Sequence, residues 1–108
     1  MTPKGPYLIN LLVYFSAVAG FNKRATTFYL MQQHREAIED CKIVLEMNPF
    51  HFGAASGMGM CLAAVGKFQE AIAALEQAVE INPRLEHLKH HIMQLEELIK
   101  EQERGRKE

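Results

Sequence analysis

At 108 residues the chain is one small domain or part of a larger one, long enough to bury a modest core. Its 48% hydrophobic and 23% charged residues exclude a disordered chain. A formal net charge of −1, with no basic stripe interleaved with aromatics, excludes a general attraction to nucleic acid.

In chain order, Tyr7 to Phe21 is nearly all apolar, broken by Asn10, Ser16 and Gly20. The run falls short of the ~20 residues that a membrane span needs, so no span is expected. With Lys4 ahead of it and Ala17-Val18-Ala19 before Gly20, it has the shape of a secretory signal peptide. It is also compatible with an apolar helix packed against the first hairpin, or with the replaced start of a longer repeat protein. Removal of residues 1–19 on export would imply a secretory or periplasmic location; otherwise a cytoplasmic or organellar one is expected.

Apolar spacing predicts five helices after that point. The first covers about Ala19 to Met31, with Phe21, Ala25 and Phe28 on one face. The second covers about Arg35 to Met47, with Ala37, Ile38, Cys41, Val44 and Leu45 inward, and ends at Asn48-Pro49. Proline disfavours helical backbone in the residue before it and has no amide to donate. The third covers about Gly53 to Val65 and stops at Gly66, a residue that tolerates the left-handed C-cap conformation. The fourth covers about Gln69 to Ile81, with Ala71, Ile72, Leu75, Ala78 and Val79 inward, and ends at Asn82-Pro83. The fifth, about Leu85 to Arg104, carries a narrow stripe of Leu85, Leu88, Ile92, Leu95 and Ile99 under an otherwise charged surface. Gly105 and the charged residues after it read as a frayed tail. Cys41 and Cys61 fall in apolar helical stretches and read as buried thiols.

The two Asn-Pro pairs are 34 residues apart, and the text before them repeats: Glu36-Ala37-Ile38 aligns with Glu70-Ala71-Ile72, and Glu46 with Glu80. Self-similarity at that period marks stacked helical hairpins, each unable to bury its apolar face alone. The first unit reads Phe21, Arg24-Ala25, Phe28, Ala37, Cys41 and Pro49; the second reads Ala55, Met58-Gly59, Leu62, Ala71, Leu75 and Pro83. This pattern resembles the tetratricopeptide repeat, from about Val18 to Pro83, with Arg24, Cys41 and Ala55 departing from it. The resemblance implies an all-α fold: antiparallel hairpins stacked as a short right-handed solenoid with a long C-terminal capping helix. The expected divisions are an apolar segment 1–17, repeats 18–51 and 52–83, a capping helix 84–104 and a charged tail 105–108.

The resemblance further implies a concave groove lined by the first helix of each hairpin. Its positions fall on Asn22, Thr26 and Tyr29, on Ser56, Met60 and Ala63, and on His87, His90 and Gln94 of the last helix. The implied partner is a peptide or helix of another protein. Some members of the family clamp the C-terminal carboxylate of heat-shock chaperones with lysine, asparagine and arginine. The matching places here hold Asn22, Thr26, Gly57, His90 and Gln94, without fixed positive charge, which argues against such a ligand.

Catalytic or cofactor chemistry has little support in the residues. The glycines before Lys67 lack the phosphate-loop spacing, and Phe68 stands where Ser or Thr is needed. His87, His90 and His91 share a helical stretch, but nothing is arranged to complete a metal shell. Glu36, Glu39 and Asp40 read as a solvated face, and no serine has a plausible His/Asp partner set. The expectation is a non-enzymatic scaffold or adaptor with no cofactor and no metal. The alternative is a structural piece that pairs with a second copy through its last helix or exposed hairpin faces.

Overall fold

The computed structural model describes residues 6–107 as five helices: α1 (Pro6–Leu30), α2 (His34–Met47), α3 (Phe52–Ala64), α4 (Phe68–Ile81) and α5 (His87–Lys107). Lys4 and the last residue of the charged tail lie outside the described residues. The fold is all-α: each helix lies against the next, α1 and α2 form one hairpin, α3 and α4 a second stacked on it, and α5 closes the far side. The stack is elongated, 71 × 28 × 18 Å.

The 34-residue period recurs in the backbone hydrogen bonds. Gln33 donates to the Phe28 carbonyl at 2.8 Å, and Lys67 to the Leu62 carbonyl at 2.9 Å, closing α1 and α3 in the same way. The residue before each donor has a left-handed backbone: Gly66 (φ 86°) after α3, and Gln32 (φ 61°) after α1. Glycine accepts that conformation freely; glutamine does so against its Cβ, at a cost of roughly 1–2 kcal/mol. The Asn-Pro stops also match: the Asn48 and Asn82 side chains accept from the amides of Phe50 and Arg84, both at 3.1 Å, forming the turn that leads to the next helix. His51 caps α3, its Nδ1 accepting from the Ala54 amide at 3.0 Å.

Small residues set the helix spacing. Ala37, Ala55, Ala71, Ala74 and Ala78 are buried with Leu75, Leu62, Leu88 and Leu95 in one cluster spanning α2 to α5. A second cluster joins Val18, Ala25, Cys41, Val44 and Ala54 across α1, α2 and α3. Leu45 and Met58 touch both clusters and connect the hairpins.

Two boundaries and one burial assignment differ from the sequence reading. α1 begins at Pro6, not near Ala19, because the apolar run holds no internal proline and a single Gly20 does not break a helix continued by good formers on both sides. α5 runs through Gly105 to Lys107 for the same reason. Asp40, assigned to a solvated face, is buried at 2% exposure. Of the apolar N-terminal segment, Tyr14 and Ala17 are half-buried, whereas Leu8 to Val13 and Phe15 are exposed. The stripe of α5 is covered by its own chain, with Leu88 and Leu95 buried and Ile92 half-buried.

Gly59 marks the tightest approach of α3 and α4. A Cβ there would lie 2.7 Å from Leu75 Cγ and Cδ2 and 3.2 Å from the Ala71 carbonyl. At Gly57 it would meet Cys41 Sγ at an ordinary 3.7 Å. Gly59→Ala is therefore expected to lower stability by roughly 1–2 kcal/mol, overpacking outweighing the gain in helix propensity. Gly57→Ala is expected to raise it by about 0.5–1 kcal/mol. Urea unfolding of the two variants checks the contrast.

Candidate functional site

α1, α3 and α5, the first helix of each hairpin and its counterpart, carry the residues that the sequence assigns to a groove. Where α1 meets α3, Asn22, Thr26 and Tyr29 line a cavity of about 70 Å³ with Gly53 and Gly57 on the other side and Cys41 and Cys61 among its walls. The two glycines, one turn apart, open it, because neither presents a side chain. The Thr26 hydroxyl donates to the Asn22 carbonyl at 3.0 Å, and that of Ser56 to the Gly53 carbonyl at 3.1 Å. Each hydroxyl oxygen is left as an acceptor. Tyr29 is held beside the His34 ring at 5.7 Å between centroids.

The remaining assigned residues are spread more widely. Ser56, Met60 and Ala63 are half-buried on α3, and Met60 and Ala63 rest on the core. His87, His90 and Gln94 are exposed on α5, with His90 Nε2 and Gln94 Nε2 3.3 Å apart. Of the three histidines of α5, His91 is the half-buried one. Asn22, Thr26 and Tyr29 thus gather around one cavity, while the α3 and α5 residues do not line it.

Behind the cavity, Arg24 reaches from α1 to Asp40 of α2. Its Nε and a terminal nitrogen each donate to one carboxylate oxygen at 2.7 Å, a bidentate pair with the carboxylate buried and the arginine open to water. The guanidinium also lies 5.3 Å from the Phe21 ring centre and 5.9 Å from that of Phe28. The hydrogen bonds and charge of Asp40 raise the arginine further above its ordinary pKa. Nearer the start of α1, the Tyr14 hydroxyl donates to the Met47 carbonyl and ties α1 to the end of α2. The sequence held a signal for the buried carboxylate: Asp40 stands three residues after Ala37 and four before Val44, on the face that both bury.

The thiols are sealed. Cys41 is pushed up to about 11, first by burial and then by the neighbouring Cys61 and Asp40. Burial raises Cys61 in the same direction.

Residues 54–85 match the tetratricopeptide repeat family. The chain is 38% identical over 69 residues to the small glutamine-rich tetratricopeptide repeat-containing protein 2 of Mycosarcoma maydis, covering 64% of this chain and 20% of that protein. It is 38% identical over 63 residues to a TPR repeat-containing protein of Rhizobium etli, covering 58% and 31%. It is 31% identical over 97 residues to Suppressor of RPS4-RLD 1 of Arabidopsis thaliana, covering 90% and 9%. The chain thus spans less than a third of the length of these relatives. Its backbone is similar to the first TPR of Spaghetti (RPAP3) bound to the HSP90 peptide SRMEEVD, with a TM-score of 0.69 and 18% identity, covering 84% of this chain and 83% of that one. The chain is a tetratricopeptide-repeat protein, an all-α helical repeat solenoid.

Two expectations arise from the buried groups. Arg24→Leu, which restores the family's apolar residue but leaves Asp40 buried without its partner, should lower the melting temperature; Arg24→Leu with Asp40→Leu should recover most of the loss. Thermal melts of the single and double variants decide it. For Cys41, the native state favours the neutral thiol, so its contribution to stability is full below the unfolded pKa of about 8.5 and is lost as pH rises through about 11. Iodoacetamide labelling of native protein at pH ~8 should be slow, and alkaline melting should shift less in Cys41→Ala than in wild type.

Proposed function

We propose that the chain binds an extended or helical segment of a partner protein along the face built by α1, α3 and α5, without catalysing a reaction. The carrying observation is the cavity between α1 and α3, which gathers Asn22, Thr26 and Tyr29 opposite the side-chain-free Gly53 and Gly57. Ser56, Met60 and Ala63 extend this face along α3, and His87, His90 and Gln94 along α5. The family relationship supports the same reading, as does the similar solenoid seen with a peptide.

The favoured ligand is not an acidic chain terminus. A carboxylate held in a groove needs charge-assisted donors, and Asn22, Thr26, Gly57, His90 and Gln94 include no lysine or arginine. A cavity of about 70 Å³ walled by alanine, glycine and thiols suits one small aliphatic side chain, with the Asn22 amide and Thr26 hydroxyl left to bond its backbone. Pairing through the last helix has less support, since Leu88 and Leu95 are already buried within the chain.

A peptide-display selection on the full chain, followed by anisotropy titration, tests this. Selected peptides should be neutral with a small aliphatic anchor, and SRMEEVD should bind at least tenfold more weakly. Asn22→Ala, Tyr29→Ala and Met60→Ala together should weaken the selected peptide by about 10–100-fold without loss of helicity. Unchanged affinity in that variant overturns the groove assignment.

A further inference from the structure

α1 outlasts its partner. The Tyr14 hydroxyl meets Met47, the last residue of α2, so the turns of α1 before Tyr14 project past the hairpin. There the helix is apolar on nearly every side. Leu8, Ile9, Leu11, Leu12, Val13 and Phe15 are each between 51% and 66% exposed, and no charged residue occurs from Pro6 to Asn22. Side chains of this size, that far open, form a patch on the order of 500–600 Å², at the upper end of what a monomer leaves uncovered. A helix apolar all round is stable only when it is covered.

We propose that this projecting half of α1 is a dimerisation surface that pairs antiparallel with the same segment of a second copy. Leu8, Leu12, Phe15 and Ala19 recur at 4-3-4 spacing along one face, the seam of a two-helix contact. Antiparallel pairing about the middle of the segment sets Leu8 against Ala19 and Leu12 against Phe15, so a large side chain meets a small one at both ends. Parallel pairing would set Phe15 on Phe15 and leave Ala19 facing Ala19. Antiparallel helices also oppose their dipoles favourably. The arrangement carries the two hairpin bodies to opposite ends, where they do not collide. The exposed Ser16, Ala19 and Gly20 let the backbones approach, and nothing lies within 4 Å of a Cβ built on Gly20. The seam covers one face of this patch, less than the ~800 Å² per partner of a standard interface, so dimerisation is expected in the micromolar range. An uncharged seam selects an equally uncharged partner, and the copy supplies one.

Sedimentation velocity of the full chain across ~1 to ~200 μM tests the proposal, with a dimer expected at the upper concentrations. Leu12→Lys/Phe15→Lys and Leu12→Glu/Phe15→Glu should each be monomeric and helical. An equimolar mixture of the two should restore the dimer, because the seam then joins opposite charges. A wild type that stays monomeric throughout overturns the proposal, as does a dimer that survives either double variant. Flotation of the wild type with neutral phosphatidylcholine vesicles, abolished by the Lys pair while no dimer forms, would overturn it in favour of a lipid surface.

Discussion

One kind of contact holds this stack together: an alanine or glycine on one helix against a larger side chain on the next. Gly59 beneath Leu75 is the extreme case, with no room for a single methyl group. The buried alanines of α2, α3 and α4 repeat it at lower tension. Because the helices approach so closely, the turns between them have little freedom. Both hairpins close with the same left-handed residue and the same hydrogen bond back to the helix, although one of the two turns has Gln32 where glycine would fit. Packing distance therefore governs the local backbone, and the first hairpin accepts a strained residue to keep it.

The Arg24–Asp40 pair is a second solution to the same spatial problem. Thirty-four residues on, the corresponding positions are Met58 and Ala74, both part of the apolar cluster that joins α3 and α4. In the first hairpin a long cation reaches over the Phe21 and Phe28 rings to a buried carboxylate instead. The pair holds α1 to α2 with geometry more than with area, and its two bonds fix the rotation of α1 about its axis. That rotation decides which side chains of α1 look toward α3. Asn22 and Thr26 flank Arg24 by two residues on either side, so a guanidinium anchored on α2 turns both of them to the cavity.

Much of this was legible in the chain. The 34-residue period, the Asn-Pro stops and Gly66 fixed the order and pairing of α2, α3 and α4, because those signals act locally. Three features were not read, each for a physical reason. Asp40 is polar, and a periodicity argument assigns polar residues outward unless a partner is sought elsewhere in the chain. Gln32 carries no compositional mark of a left-handed turn; its conformation is imposed by the helices around it. The start of α1 was obscured because an apolar run has no periodicity when every face is apolar, so the template for an amphipathic helix found nothing before Ala19. The candidate groove was read by position in a repeat, which located Asn22, Thr26 and Tyr29. It did not point to Gly53, whose missing side chain helps open the cavity.

The two ends of the stack differ in how they finish it. α5 turns a covered stripe inward and surrounds it with Lys89, Glu97 and Lys100, the arrangement a terminal repeat needs to meet water. α1 has no such outer coat. Leu8, Phe15, Asn22 and Tyr29 succeed one another at seven-residue spacing, as do Leu12, Ala19 and Thr26, so one face of the helix is apolar for its first half and polar for its second. The slow drift of a straight helix against that spacing, about 20° per seven residues, keeps all of them within one side. The proposed seam and the proposed groove are therefore consecutive stretches of a single surface. A second copy laid along the seam brings its Pro6 level with Phe21, beside Asn22, and its uncharged first turns would form a wall at the mouth of the groove. An extended ligand leaving the cavity in that direction would meet apolar surface, which fits an uncharged segment and disfavours an acidic one.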